Sequence, residues 1–149
     1  MSGVERHRSI VDVHVILRRD GKVLMGRRIN TGYGDGQLHL PSGHLEPGES
    51  VIDGAIREAE EEIGVGIRAD DLRFRHVMHR FSPDGADRVG FFFEAVRWAG
   101  EPWNREPGKC SELVWVDPAA LPADVIAYPA AGVTAGEQGI PFSLHGWPN

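Results

Sequence analysis

Near the start of the chain, Val11, Val13, Val15 and Leu17 alternate with Asp12, His14 and Ile16. A period of two predicts a strand with one well-buried face. Asp20-Gly21 is a hairpin turn signal. Val23 to Met25 then read as the returning strand, ending at Arg27 and Arg28. Asn30 to Gln37 carries Gly32, Gly34 and Gly36, the composition of a flexible loop whose backbone can approach a ligand closely. Leu38 to Leu40 predict a short strand, stopped by Pro41.

The clearest helix runs from Glu49 to Val65. Ser50 and Asp53 have the form of a capping box. Ile52, Ala55, Ile56, Ala59 and Ile63 repeat at helical spacing, and Gly64 is a natural stop. Leu72 to His79 and Val89 to Val96 predict strands on either side of the turn-rich Ser82-Pro83-Asp84-Gly85. Leu113 to Val116 predict another, and Pro118 to Leu121 a short helical turn. Val125 to Glu137 predict a last helix, with Pro129 near its first turn. Phe142 to Trp147 either packs back on the body or stays loose. This order implies an α+β or layered α/β/α domain with a mixed sheet.

Composition narrows the function. The 149 residues, 41% hydrophobic and 26% charged, are those of one soluble globular domain. No apolar run approaches the roughly 18 residues needed to cross a bilayer, so no membrane partner is expected. The polar start, Met1 to Ser9, shows no secretory signal. Lone Cys110 fits a reducing, cytoplasmic setting. A formal charge of -6 argues against stable nucleic-acid binding, but an acidic protein can hold polyphosphate through a divalent cation.

That cation has a candidate site. Glu58, Glu61 and Glu62 stand at i, i+3 and i+4 on one face of the predicted helix, away from its apolar stripe. Three such carboxylates repel one another unless a cation sits among them. Oxygen-only ligands suit Mg²⁺ first and Mn²⁺ second. A bare run of Glu is most often a solvated helix face; the wider spacing distinguishes this one. Gly43, Glu49, Arg57, Glu58, Glu61, Glu62 and Gly64 hold fixed intervals. Their chance occurrence in a chain of this composition is roughly one in a hundred thousand.

Gly43 to Val65 resembles the signature box of the Nudix (MutT-like) hydrolase superfamily. Leu24 to Arg28 and Leu40 to Glu46 resemble the segments leading into that box. Asn104 to Cys110, with Trp115, resembles a segment of the branch that cleaves nucleoside triphosphates. The resemblance spans about residues 10 to 121 and implies the Nudix α/β/α sandwich with a central mixed β-sheet. It further implies one domain over residues 1–149, with the box at 43–65 and a C-terminal helix and tail over about 125–149. The implied activity is Mg²⁺-dependent hydrolysis of a pyrophosphate linkage, in a chain acting as a monomer or homodimer.

Carried over by residue, the resemblance makes Glu61 and Glu62 metal ligands. Glu58 becomes a ligand or the group that assists the attacking water. The carbonyl of Ser42 becomes a further ligand, where the family often uses a glycine. Gly43 and Gly64 serve backbone turns, and Glu49 and Arg57 are structural, their charges suited to pairing. Glu106 is the candidate fourth carboxylate, ahead of Glu112 and Glu94. Arg27, Arg28 and His39 are candidate substrate contacts, since a guanidinium holds phosphate oxygens in a forked geometry. His39 and His44 flank Pro41-Ser42-Gly43, and packing or solvation is the plainer role for either. Phe91 and Phe93 should face one side of the sheet and Phe92 the other. Trp103, in a loop, is a candidate for base stacking. Cys110 has no partnering base and reads as a core or strand-edge residue.

The expected reaction converts a nucleoside triphosphate to a monophosphate and pyrophosphate. The alternatives are the same chemistry on ADP-ribose, a dinucleotide or a nucleotide sugar, and a non-catalytic Nudix-fold binding or regulatory module.

Overall fold

The computed structural model describes residues 3–148. Strands β1 (Ile10–Arg19), β2 (Lys22–Arg28), β3 (Leu38–His39) and β4 (Ser42–His44) precede helix α1 (Val51–Ile63). A single 3-10 turn (Ala69–Asp71) leads into β5 (Leu72–Phe81), β6 (Asp87–Ala95) and β7 (Cys110–Val116). Helix α2 (Ala127–Glu137) and strand β8 (Phe142–His145) follow. The eight strands form one sheet in the order β3-β2-β1-β6-β5-β8, with β4 paired to β1 and β7 to β2. β1 runs parallel to β6 and β5 parallel to β8, so the sheet is mixed, as expected.

The α1 face of the sheet packs Val13, Val15, Leu17, Leu24 and Phe93 against Ala55, Ala59 and Ile63. On the α2 face, Ile16, Val23, Met25 and Phe92 pack with Val133. A strand covered on both sides has no solvent face, and this corrects the expectation for β1. Its alternation is real, but Asp12 and His14 are as buried as the valines, at 6% and 2% exposed. The three phenylalanines divide as predicted: Phe91 and Phe93 stack with centroids 6.2 Å apart, and Phe92 faces α2. There a Cβ on Gly132 would lie 2.2 Å from the Phe92 ring.

Several boundaries differ from expectation. Pro41 does not end pairing, because β4 resumes on β1 immediately after it. β7 starts at Cys110 rather than Leu113 because it follows β2 almost throughout. Pro118 to Leu121 is a turn closed by the Ala120 N–H donating to Asp117 O at 3.0 Å, and not a helix. The glycine-rich loop is tied down: the Asp35 carboxylate accepts from Thr31 N, Gly32 N and Thr31 Oγ1 at 2.6–3.1 Å. The tail packs back. His76 Nδ1 donates to Ile140 O at 2.7 Å, and Ser143 Oγ lies 2.7 Å from His76 Nε2.

Candidate active site

Helix α1 starts and stops where its sequence dictates. Ser50 Oγ accepts from Asp53 N at 3.0 Å, and Gly64 ends the helix at φ 69°. The loop after β6 then caps its C-terminal carbonyls. Trp103 N donates to Ile63 O at 3.0 Å, Arg105 N to Glu62 O at 3.1 Å and Arg105 Nη1 to Glu60 O at 2.9 Å. This accounts for the Asn104–Cys110 segment in physical terms. It satisfies helix-end acceptors and brings Glu106 close enough to Glu62 to raise the pKa of its carboxyl.

Arg57 organises the box. Its Nε and Nη2 donate to Glu49 Oε2 and Oε1 at 2.6 and 2.8 Å, a two-point pair. That pairing holds the Glu49 carboxyl at about 2, below its ordinary 4.5. Nη2 also donates to His44 O at 3.0 Å. Nη1 reaches Glu58 Oε1 at 2.7 Å and Glu61 Oε2 at 3.2 Å. The same arginine therefore ties loop to helix and separates Glu58 from Glu61.

Glu58 does not sit on a solvated face. It is 9% exposed, and its carboxylate fills the space a side chain on residue 43 would take. A Cβ on Gly43 would lie 2.0 Å from Glu58 Oε1. Gly43 is thus required for close approach rather than for a turn, in contrast to Gly64. Val15 N donates to Pro41 O and Leu45 N to Val11 O, so the β4 ladder to β1 uses odd positions. Both peptide groups of Ser42 point away from β1 by the same parity. Accordingly, Ser42 N donates to Glu62 Oε2 at 2.8 Å.

Glu58 and Glu62 are close enough for their carboxyls to influence each other. Burial raises the Glu58 carboxyl above its ordinary value. Burial, then the charges of Glu58 and Glu106, raise Glu62 well above its own. Crowded, buried carboxylates of this kind are relieved by a cation among them. Among the described residues, no group of three or more His, Cys, Asp or Glu side chains is arranged to hold a metal ion by itself. Mg²⁺ does not need one, because it takes one or two carboxylates and completes its shell with water and phosphate. One or two of the carboxylates of Glu58, Glu61, Glu62 and Glu106, with the Ser42 carbonyl, could supply such an ion's protein oxygens.

These groups line a cavity of about 680 Å³ together with Arg28, His39 and Lys109. A second cavity, of about 490 Å³, adjoins it across Ser42, Gly43 and His44. It is walled by Asp12, His14, Tyr33, Arg80 and Tyr128. His39 lines both. His39 Nδ1 lies 2.8 Å from Leu40 O and must be the protonated nitrogen, so Nε2 accepts from Tyr128 Oη at 2.6 Å. Burial drops its pKa to about 4, so the ring is neutral near pH 7.

The remaining candidates separate. Arg27 lines the larger cavity while bonded to Glu112 at 2.6 Å, Asp124 at 2.7 Å and Gly36 O at 2.8 Å. Arg28 gives its Nε to Tyr33 O at 2.8 Å and lines both cavities. Glu112 is taken by Arg27. Glu94 pairs with Arg18 and Arg75 beside α2. Trp103 covers Gly64 at the end of α1 and lines neither cavity. Cys110 is a strand-edge residue whose Sγ donates to Glu112 O at 3.2 Å. Sequence reasoning passed over Asp12, His14, Arg80, Lys109 and Tyr128. The first two were detectable as polar residues in a strand that a three-layer fold covers on both faces.

Residues 6–135 match the NUDIX domain family. The chain is 30% identical over 106 residues to an 8-oxo-dGTP diphosphatase of Escherichia coli, covering 70% of this chain and 80% of that protein. It is 31% identical over 111 residues to an 8-oxo-dGTP diphosphatase of Haemophilus influenzae, covering 73% and 76%. The fold superposes on the crystal structure of a MutT NUDIX hydrolase from Burkholderia pseudomallei with a TM-score of 0.78 and 24% identity, over 86% of this chain and 98% of that one. The family match, the relatives and the box geometry agree: the chain belongs to the Nudix family, as a MutT-like pyrophosphohydrolase.

Proposed function

We propose that the protein hydrolyses a nucleoside triphosphate to a nucleoside monophosphate and pyrophosphate in a Mg²⁺-dependent reaction. The observation that carries this is the junction of two cavities at Ser42–His44. One is lined by the box carboxylates and Glu106, the other by tyrosine and imidazole rings together with Arg28, Arg80 and Arg88. Polyphosphate bearing a cation suits the first; a nucleoside suits the second. Family members generally use a divalent metal, and two relatives are named for a nucleoside triphosphate substrate.

On this proposal Glu61 and Glu62, with the Ser42 carbonyl, would hold Mg²⁺ or Mn²⁺, and Glu58 and Glu106 would complete the set or assist the attacking water. The ion, when bound, neutralises phosphate oxygens and makes water a better nucleophile. Arg28 and Lys109, which line the same cavity, hold phosphate oxygens. The water oxygen bonds to a phosphorus of the anhydride, the bridging P–O bond breaks, and its electron pair stays on the departing phosphate oxygen, giving monophosphate and pyrophosphate. The water proton passes to a carboxylate of the set. Arg57 keeps Glu58 and Glu61 in position and turns no charge toward the substrate that Glu49 has not already balanced.

The test is a Mg²⁺-dependent screen of canonical and oxidised nucleoside triphosphates, ADP-ribose, NADH and nucleotide sugars. Pyrophosphate release from a triphosphate supports the proposal. Cleavage confined to diphosphate conjugates replaces the substrate and keeps the chemistry. No cleavage by folded protein overturns it.

A further inference from the structure

The strand order β3-β2-β1-β6-β5-β8 has two ends, and they differ. At the β3 end the backbone is covered. Leu38 N donates to Asp124 O and Ile126 N donates to Leu38 O, both at 2.9 Å. At the other end, among the described residues, no segment pairs with the outer side of β8. Val77 N donates to Pro141 O at 2.8 Å. The parallel register sets Val77 beside Phe142 and His79 beside Leu144. Alternate residues of β8 therefore bond to β5. Pro141, Ser143 and His145 turn their backbone groups inward, and Phe142 and Leu144 turn theirs outward.

An open edge is ordinarily blunted by charge, by proline or by a covering segment. Here both outward positions are large and apolar, Phe142 at 54% and Leu144 at 60% exposed. Their register partners Val77 and His79 place both side chains on one face of the sheet. Ile140 and Trp147, on either side of β8 in the chain, are exposed as well. None of the four lines either cavity, so substrate binding does not account for them.

We infer that β8 is a homodimer edge, where two copies of the chain pair antiparallel and continue one sheet into the other. The occupant follows from the pattern. Two outward residues separated by one inward residue are self-complementary about a two-fold axis at Ser143. Phe142 then lies opposite Leu144 of the second copy, and Leu144 opposite its Phe142. Each pair exchanges two N–H···O bonds, so four outward donors and four outward acceptors are satisfied together. Each phenylalanine ring also meets a leucine. Roughly 100 Å² is open on each of the four apolar side chains, so two copies bury about 800 Å² of side chain. With the backbone added, this is the low end of specific interfaces. The dimer is accordingly weak, with a Kd on the order of 10 µM.

The experiment is sedimentation equilibrium from about 1 to 200 µM, a range that brackets that Kd. Wild type should pass from the monomer mass to twice that mass. Leu144→Pro removes one outward N–H and no bond to β5, a place where an edge strand tolerates proline. It should raise the Kd at least tenfold. Leu144→Lys should do the same with the backbone intact, and it decides the matter if circular dichroism shows Leu144→Pro to be unfolded. Ser143→Cys should form a disulfide through residue 143 on oxidation. Facing residues in such a pair lie about 4.5 Å apart at Cα, within disulfide range. A monomer at every concentration overturns the inference and leaves the edge to another partner or to none. A dimer that persists in Leu144→Lys and is not cross-linked at residue 143 also overturns it, by placing the contact elsewhere.

Discussion

Gly43→Ala is the smallest change that should disable the box without touching a charged residue. The new Cβ would fall 2.0 Å from Glu58 Oε1, 2.3 Å from its Cδ and 2.6 Å from its Oε2. Non-bonded heavy atoms settle near 3.5 Å, so the carboxylate must retreat by about 1 Å or more. It has little freedom, being buried and bonded to Arg57 at 2.7 Å. A displacement of about 1 Å in a catalytic group costs on the order of 100-fold in rate. Overpacking of this kind costs about 1–3 kcal/mol in stability, a fall of several degrees in Tm. The assay is pyrophosphate release in Mg²⁺, with thermal unfolding in parallel. Gly66→Ala is the control, since its Cβ would meet nothing nearer than 3.8 Å. Turnover in Gly43→Ala within twofold of wild type would refute the claim that this glycine exists to seat Glu58.

Other outcomes follow from the same contacts. Gly132→Ala should lose about 1–3 kcal/mol in chemical denaturation, because its Cβ would lie 2.2 Å from the Phe92 ring, while metal dependence of turnover stays unchanged. Tyr128→Phe leaves the buried His39 Nε2 unpaired and should cost about 1–3 kcal/mol, read as a lower midpoint in urea. The Glu49 carboxyl is held at about 2 in the folded chain against an ordinary 4.5. A depressed folded pKa contributes stability above pH 4.5, lost as pH falls through about 2. Glu49→Gln should therefore be less stable than wild type near pH 7, with the gap closing toward pH 2; a constant gap across that range would contradict the pairing.

The box was legible because its chemistry lies within one helix and its two flanking turns. Spacing alone placed Glu58 and Glu62 together, and opposite charge at Glu49 and Arg57 anticipated their pairing. The approach of Glu106 was harder to see, since it depends on a distant loop capping α1. Arg27 and Arg28 are identical in sequence terms and differ only in their neighbours. Both line the larger cavity, but Glu112 and Asp124, remote in the chain, occupy Arg27, and only Arg28 also reaches the second cavity. The burial of Asp12 and His14 was hidden by a strand pattern that reads as one-faced. Only the three-layer arrangement exposes it, because α2, a helix of small residues with little amphipathic signal, covers the second face.

The central claim is that Glu62 and its neighbours hold the cation that supports pyrophosphate cleavage. It is tested most directly by Mg²⁺ titration of triphosphate hydrolysis in wild type and Glu62→Gln, with circular dichroism confirming that both are folded. The account predicts saturable Mg²⁺ activation and pyrophosphate release in wild type, with turnover lower by orders of magnitude in Glu62→Gln. Wild-type turnover in Glu62→Gln with an unshifted Mg²⁺ requirement would contradict it.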